Sequence, residues 1–417
     1  MLFARLFGRF IRKGELTLYD ARGGVHRFGD PAKGPQITLR LHDPALHRNL
    51  LLNPRLRLGE AYMDGLISVE GGGVYDLLDL LARNLGRHTA SRFDDLQMRF
   101  RMLWRRVRHA NRLRRARRNV AHHYDLSGQL YGLFLDADRQ YSCAYFPEPD
   151  LDLETAQLAK KRHIAAKLLL RRGQKILDIG SGWGGLATYL AEVGESEVTG
   201  VTLSQEQLDY ARRRVAQQGL ESKVDFQMRD YRQLTGRYDR IVSVGMFEHV
   251  GAPNYGVFFR KIAELLEDDG VALLHSIAHC EPPFPTNPWL EKYVFPGGYA
   301  PALSEVLPAI EAADLWVTDV EILRLHYAET LRQWRERFLA KRDLAVRLYD
   351  ERFCRMWEFY LAGCEASFRH QGQMVAQIQI AKSIDAVPLT RDYIAEWEQA
   401  HPLPRARKDG EGRLKLA

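Results

Sequence analysis

Apolar positions along this chain follow two periods, and the switch between them sets out the fold. From about residue 175 onward, short β-compatible runs recur. KILDIGSGWGGLATYL (175–190) opens as a strand and turns into a helix. It is followed by EVTGVTL (197–203), VDFQMRD (224–230), YDRIVSVGM (238–246) and GVALLHSIA (270–278). Helical spacing fills the gaps near 205–218 and 254–267. Strands alternating with helices predict an α/β domain, a doubly wound sheet with helices on both faces. LWVTDVEIL (315–323) reads as a late strand, and 327–370 is strongly helical and rich in aromatics. Upstream lies a smaller α+β region. It has a strand around QITLRLH (36–42), helices near 43–51 and 73–85, and the turn-rich LGEAYMDG (58–65) between those helices.

Two further segments are basic. Residues 1–13 place Leu2, Phe3, Leu6, Phe7 and Phe10 at helical spacing between Arg5, Arg9, Arg12 and Lys13, as in a short amphipathic helix that lies on a surface. Residues 99–118 hold ten arginines, with Phe100, Leu103, Trp104, Val107 and Leu113 on one face. That helix marks the junction between two domains. The expected division is a basic, lipid-docking N-terminal domain over 1–118, a catalytic domain over 119–400 and a polar tail over 401–417.

A chain of 417 residues suits two domains, and 46% hydrophobic with 27% charged residues is ordinary globular composition. Residues 1–120 carry a net charge of +13 and the remainder −6, so the front end asks for an anionic partner. Four cysteines (Cys143, Cys280, Cys354 and Cys364) without a C-x-x-C pair argue against a zinc ribbon or a disulfide framework, and no metal site is expected. No apolar run is long enough to span a bilayer, and arginines interrupt the N-terminal segment where a signal peptide would need an apolar core. The expected location is cytoplasmic, with peripheral contact at the inner face of the membrane.

The glycine turn narrows the chemistry. Gly180, Gly182, Gly184 and Gly185 follow a buried strand and let backbone approach a ligand at a helix N-terminus. A dinucleotide site expects an acid at the end of the second strand, where Val201, Thr202, Leu203 and Ser204 stand instead. The acid, Asp178, precedes the first glycine as D-x-G-x-G. That layout is usual in class I methyltransferases, which bind S-adenosylmethionine.

HYDLS (123–127), QYSCAYF (140–146), LDIGSGWGGLA (177–187), GVTLSQEQ (200–207) and RIVSVGMFEHVG (240–251) resemble cyclopropane-fatty-acid synthases. LLHSIA (273–278) and CEASFR (364–369) fit as well, and LGEAYMDG is similar to that family's N-terminal domain. The resemblance runs in order from roughly residue 15 to 390 and extends to mycolic-acid cyclopropane synthases and fatty-acyl methyltransferases. Ser181 departs from it, since cysteine is usual there; both are small.

The resemblance implies methyl transfer from S-adenosylmethionine to a cis double bond of a phospholipid acyl chain, with a bound bicarbonate as base. It maps the bicarbonate cage onto Cys143 and Ile277 (both through backbone), Glu248, His275 and Tyr327. Cys364 matches a residue treated in the family as an active-site cysteine, although this chemistry needs no covalent intermediate. For the cofactor it implies Gly180 and Gly182 near the methionine portion, after Asp178, with Tyr141 and Ser142 over it. Thr202 and Gln207 would sit at the ribose, Asp230 and Tyr231 at the adenine, and Tyr124 on the segment that closes over the pocket. Relatives form dimers, so a homodimer is expected. The partner would be unsaturated phospholipid in an anionic membrane.

Blander readings stand beside these. Glu248 also fits a helix-start acid, His275 a satisfied core histidine, and the cysteines small buried hydrophobes. The arginine-rich helix fits a solvated face. Among functions, a methyl or methylene branch would arise from the same carbocation. A nucleic-acid methyltransferase would use the arginines on phosphates, but GMFEHVG occupies the place of a base-flipping motif, so no nucleic acid is expected. A non-catalytic lipid-binding protein would have no need of the full set of site residues.

Overall fold

The computed structural model describes residues 10–86, 128–404, 407–408 and 414–415. The N-terminal amphipathic segment up to residue 9, the arginine-rich segment, the proposed junction and Tyr124 lie outside the described residues.

The first unit is a four-stranded sheet, ordered β2-β1-β3-β4. It is built from β1 (Gly14–Tyr19), β2 (Val25–Asp30), β3 (Gln36–Leu41) and β4 (Ile67–Glu70). Strands β1 and β3 run parallel, while the outer pairs are antiparallel. Helices α1 (Leu46–Leu52), α2 (Pro54–Met63) and α3 (Val74–Leu85) accompany it. Leu16, Leu18, Ile37 and Leu39 pack with Leu77 and Leu80 of α3 as its core. Only β3 was expected among these strands. The segment 58–65, expected as turn, is mostly the last part of α2. Pro54 sits at its N-terminus, where its missing N–H costs nothing, and the turn begins only at Asp64 and Gly65.

The second unit holds a seven-stranded sheet ordered β10-β11-β9-β8-β5-β6-β7. Its strands are β5 (Lys175–Ile179), β6 (Glu197–Thr202), β7 (Val224–Met228), β8 (Tyr238–Val244), β9 (Leu266–His279), β10 (Trp316–Leu323) and β11 (Gln373–Ala381). Strands β5 to β9 pair in parallel and β11 is antiparallel to both β9 and β10. The doubly wound sheet is therefore as expected, but with a further strand, β11, that sequence reading had not identified.

Successive residues of the central strands enter opposite layers. Ile176, Val242 and Leu273 pack with α5 (Leu153–Lys167), α6 (Gly185–Val193) and α7 (Gln205–Gln218) on one face. Leu177, Ile241 and Leu274 pack with α8 (Tyr255–Leu265) and, beyond the short α9 (Pro288–Tyr293), α10 (Leu303–Glu311) on the other. The aromatic stretch forms three helices, α11 (His326–Ala340), α12 (Arg342–Leu348) and α13 (Glu351–His370), and α14 (Asp392–Ala400) follows β11. Helix α4 (Gly128–Phe134) joins α11 and α13 around a third core rich in Trp and Tyr. In the tail, Arg407–Lys408 pairs with Leu414–Lys415.

The small unit rests on α9 and α13. Tyr62 donates to Glu358 at 3.0 Å, Glu60 accepts from Lys292 and Tyr293 at 2.6 and 2.9 Å, and His370 meets Asp79 at 2.6 Å. Gly59 is packed so closely on the Trp289 indole that a Cβ there would lie 2.4 Å from its Nε1.

Candidate functional site

A cleft opens at the C-terminal ends of β5, β6 and β8. Asp178, Gly180, Gly182, Thr202, Gln207, Asp230 and Tyr231 all line it, together with Tyr141 and Ser142 from the loop before α5. Gly180 has φ +86°, and a Cβ there would lie 2.7 Å from the Met246 Cβ, so only glycine fits the turn. Asp178 is buried, its Oδ2 has no hydrogen-bond partner in the protein, and burial pushes its carboxyl up to about 7. A buried carboxyl with one vacant oxygen is suited to a polar or cationic ligand group. Thr202 Oγ1 donates to Gln207 Oε1 at 3.0 Å, which fixes both at the end of β6. Asp230 caps a short turn and pairs with Arg232 at 2.7 Å while still lining the cleft.

The loop over this cleft is anchored by groups that sequence reading missed. Lys160, fully buried on α5, donates to Gln140 Oε1 and Ser142 Oγ, each at 2.7 Å. Burial lowers its ammonium to about 8. Gln157 donates to the carbonyls of Gln140 and Ser142 at 3.3 and 3.0 Å. Arg139, Trp183, Met246 and His249 also line the cleft. Nothing in α5 signalled this, since lysines on a helix are ordinarily solvated.

One residue further along the loop, Cys143 enters the aromatic core. There Tyr141 stacks on Trp334 with centroids 5.2 Å apart and shares a 2.8 Å hydroxyl–hydroxyl bond with Tyr360. Tyr327 meets Trp334 edge-on at 5.8 Å and Phe368 at 4.9 Å. Ile277 and Cys364 pack against the same core. Burial raises both thiols, Cys364 to about 12, so neither is a thiolate at neutral pH.

Glu248, in the turn after β8, accepts the Ile277 N–H at 2.7 Å through Oε1, while Oε2 is buried without a partner. Burial pushes this carboxyl up to about 7. The Ile277 amide is thus spent on Glu248. On the same face of β9, His275 has its Nε2 buried and unpartnered, and burial lowers the imidazole to about 3. Of the expected residues, Cys143 and Tyr327 belong to the aromatic core and Ile277 and Cys364 pack against it, while Glu248 is tied to the Ile277 N–H and His275 lies two residues before Ile277 on β9.

The family model described as mycolic acid cyclopropane synthetase matches residues 111–378. This chain belongs to that family. A second family model, a domain of unknown function, matches residues 8–91. The chain is 37% identical to a probable fatty acid methyltransferase of Pseudomonas putida over 87% of this chain and 92% of the relative. It is 36% identical to the cyclopropane-fatty-acyl-phospholipid synthase of Escherichia coli K12, over 83% and 88%. The solved structure of mycolic acid cyclopropane synthase CmaA1 complexed with SAH and CTAB aligns at 35% identity and a TM-score of 0.61. That alignment covers 63% of this chain and 97% of the other. By family and fold this cyclopropane synthetase family member is an S-adenosylmethionine-dependent methyltransferase with the class I sheet. Among the described residues no helix is long and apolar enough to cross a membrane.

Proposed function

We propose that this protein adds a methylene from S-adenosylmethionine across a cis double bond of an unsaturated phospholipid acyl chain, giving a cyclopropane. The observation that carries this reading is the pair of buried, partnerless polar atoms, Glu248 Oε2 and His275 Nε2, beside a core of aromatic rings. An alkene is a weak nucleophile, so the chamber must hold it in line with the sulfonium methyl and keep water out. As the carbon–sulfur bond breaks and the new carbon–carbon bond forms, positive charge passes to the chain. The faces of Tyr141, Trp334 and Tyr360 suit that charge, at about 0.5–2 kcal/mol per ring. The cation must then lose a proton from the added carbon before the ring closes. The neutral thiols of Cys143 and Cys364 leave the cation without a strong nucleophile to trap it.

Bicarbonate fits the two vacant atoms, because one carboxyl and one imidazole N–H match an oxyanion that carries a single proton. Glu248, His275 and Tyr327, with the backbone of Cys143, would hold it, while the Ile277 N–H, expected to join them, would act by holding Glu248. When bound it supplies the base. Glu248 would take the hydroxyl proton, and a carboxyl raised to about 7 is poised for that. In the cleft, Gly180 and Gly182 would meet the methionine portion, Thr202 and Gln207 the ribose, and Asp230 with Tyr231 the adenine.

The net +13 over residues 1–120 supports docking of a lipid-binding N-terminal domain to an anionic, cytoplasm-facing membrane surface. A homodimer is part of the same proposal. A second outcome, a methyl-branched chain, fits the relation to the Pseudomonas putida fatty acid methyltransferase. The test is incubation with labelled S-adenosylmethionine and vesicles of cis-unsaturated phospholipid, then NMR of the acyl chain. Cyclopropane resonances are expected. A methyl branch would favour the second outcome, and label in nucleic acid would overturn both.

A further inference from the structure

We propose that Gln377 is a positioning residue that sets the tautomer of His275, so that His275 offers a proton, and not a lone pair, to the anion held beside Glu248. The inference rests on the cage reading above and adds a residue to it.

The register of the β9–β11 ladder places Gln377 directly opposite His275. Both side chains are buried, Gln377 with no exposure at all. Gln377 Nε2 lies 3.2 Å from His275 Nδ1. With the amide placed this way, its Oε1 buried without a partner, Gln377 Nε2 donates and Nδ1 is the unprotonated, accepting ring nitrogen. A neutral imidazole carries one N–H, and its place is then Nε2. Burial keeps the ring neutral, since its pKa is pushed down to about 3. Nε2 is the atom left without a partner.

The alternative tautomer would be costly. It would turn an Nε2 lone pair toward the anion, and it would set Nδ1–H against the amide N–H of Gln377 unless the amide turned over and buried its NH2 donors where Oε1 now lies unpartnered. In a site away from water, both contacts are repulsive. Glutamine is suited to this place because it donates without bringing charge. A carboxylate at the same position would accept from Nδ1–H, reverse the tautomer and add a negative charge near the cage.

The test is two-bond 15N–1H correlation NMR on protein labelled at histidine, with the His275 signals identified by their loss in His275→Gln. Wild-type protein should show the Nε2–H form with and without bicarbonate. Gln377→Glu should move His275 to the Nδ1–H form, and Gln377→Met should give a mixture while conserving volume. In assays at varied bicarbonate, both variants should need at least about tenfold more bicarbonate for half-maximal turnover, the scale of a hydrogen bond to an ion. The KM for S-adenosylmethionine should be unchanged. An Nδ1–H tautomer in the wild type overturns the proposal, whatever the variants do. The predicted tautomer together with turnover indifferent to bicarbonate would instead remove the cage reading and leave the Gln377–His275 assignment intact.

Discussion

Glu248 receives the main-chain N–H of Ile277 at 2.7 Å, and that bond ties the turn after β8 to the end of β9. One carboxylate oxygen is thereby fixed by backbone and the other is held open in a dry place. Such a group is aimed chiefly by the backbone of the fold.

Glu248→Gln keeps the shape and can keep the bond from Ile277, but it cannot take a proton. Turnover should fall by at least about 100-fold, the usual scale for losing a general base. Binding of S-adenosylhomocysteine, followed by calorimetry, should change less than about threefold, within the few tenths of a kcal/mol expected for a group outside the donor cleft. Equal losses in both would place Glu248 in the donor cleft.

Gly180→Ala puts a methyl group 2.7 Å from the Met246 Cβ at a φ of +86°. The expected strain is about 1–3 kcal/mol. Thermal unfolding should register that loss, and affinity for S-adenosylhomocysteine should fall by about tenfold or more, as the turn shifts to relieve it.

His163 lies between Glu398 of α14 and Glu321 of β10, at 2.8 and 2.7 Å. Burial alone would lower its pKa, but these two carboxylates outweigh burial and hold it above the ordinary 6.5. Its folded pKa is raised, so the stability it adds is fully present below about 6.5 and is lost as pH rises through the folded value. Wild-type protein should be more stable than His163→Gln by about 2 kcal/mol at pH 6 in urea unfolding, and the gap should narrow steadily toward pH 9.

Gly59→Ala drives a methyl group onto the Trp289 indole, 2.4 Å from Nε1. Overpacking at this contact should cost about 1–3 kcal/mol. Proteolysis should then separate the small unit from the large one sooner, with donor affinity unchanged, because neither residue lines the cleft.

The parallel strands were legible because each is a short apolar run closed by a turn. The glycine turn and its preceding acid, read as a ligand-binding turn, do line a cleft at the ends of the strands. Strand β11 escaped notice because Gln377 and Gln379 lie inside it, fully buried. Polarity alone would put both in water, and only their cross-strand and helix partners account for them. Helix α5 hid the same kind of inversion, with Lys160 and Lys167 buried on a helix that looks ionic from the sequence. The segment at 58–65 reads as turn because Gly59 suggests a bend before the one that Gly65 makes. In the folded chain Gly59 makes room for Trp289.

Helix α13 presents Tyr360 and Cys364 to the aromatic core and Glu358 and His370 to the small unit. A solved relative is matched over nearly its whole length by 63% of this chain. Here, then, the helix behind the aromatic core is braced from outside by a second fold. That bracing gives selection a remote handle: exchanges at Tyr62 or Asp79 act on α13, and through it on the aromatic core, without altering any side chain of that core.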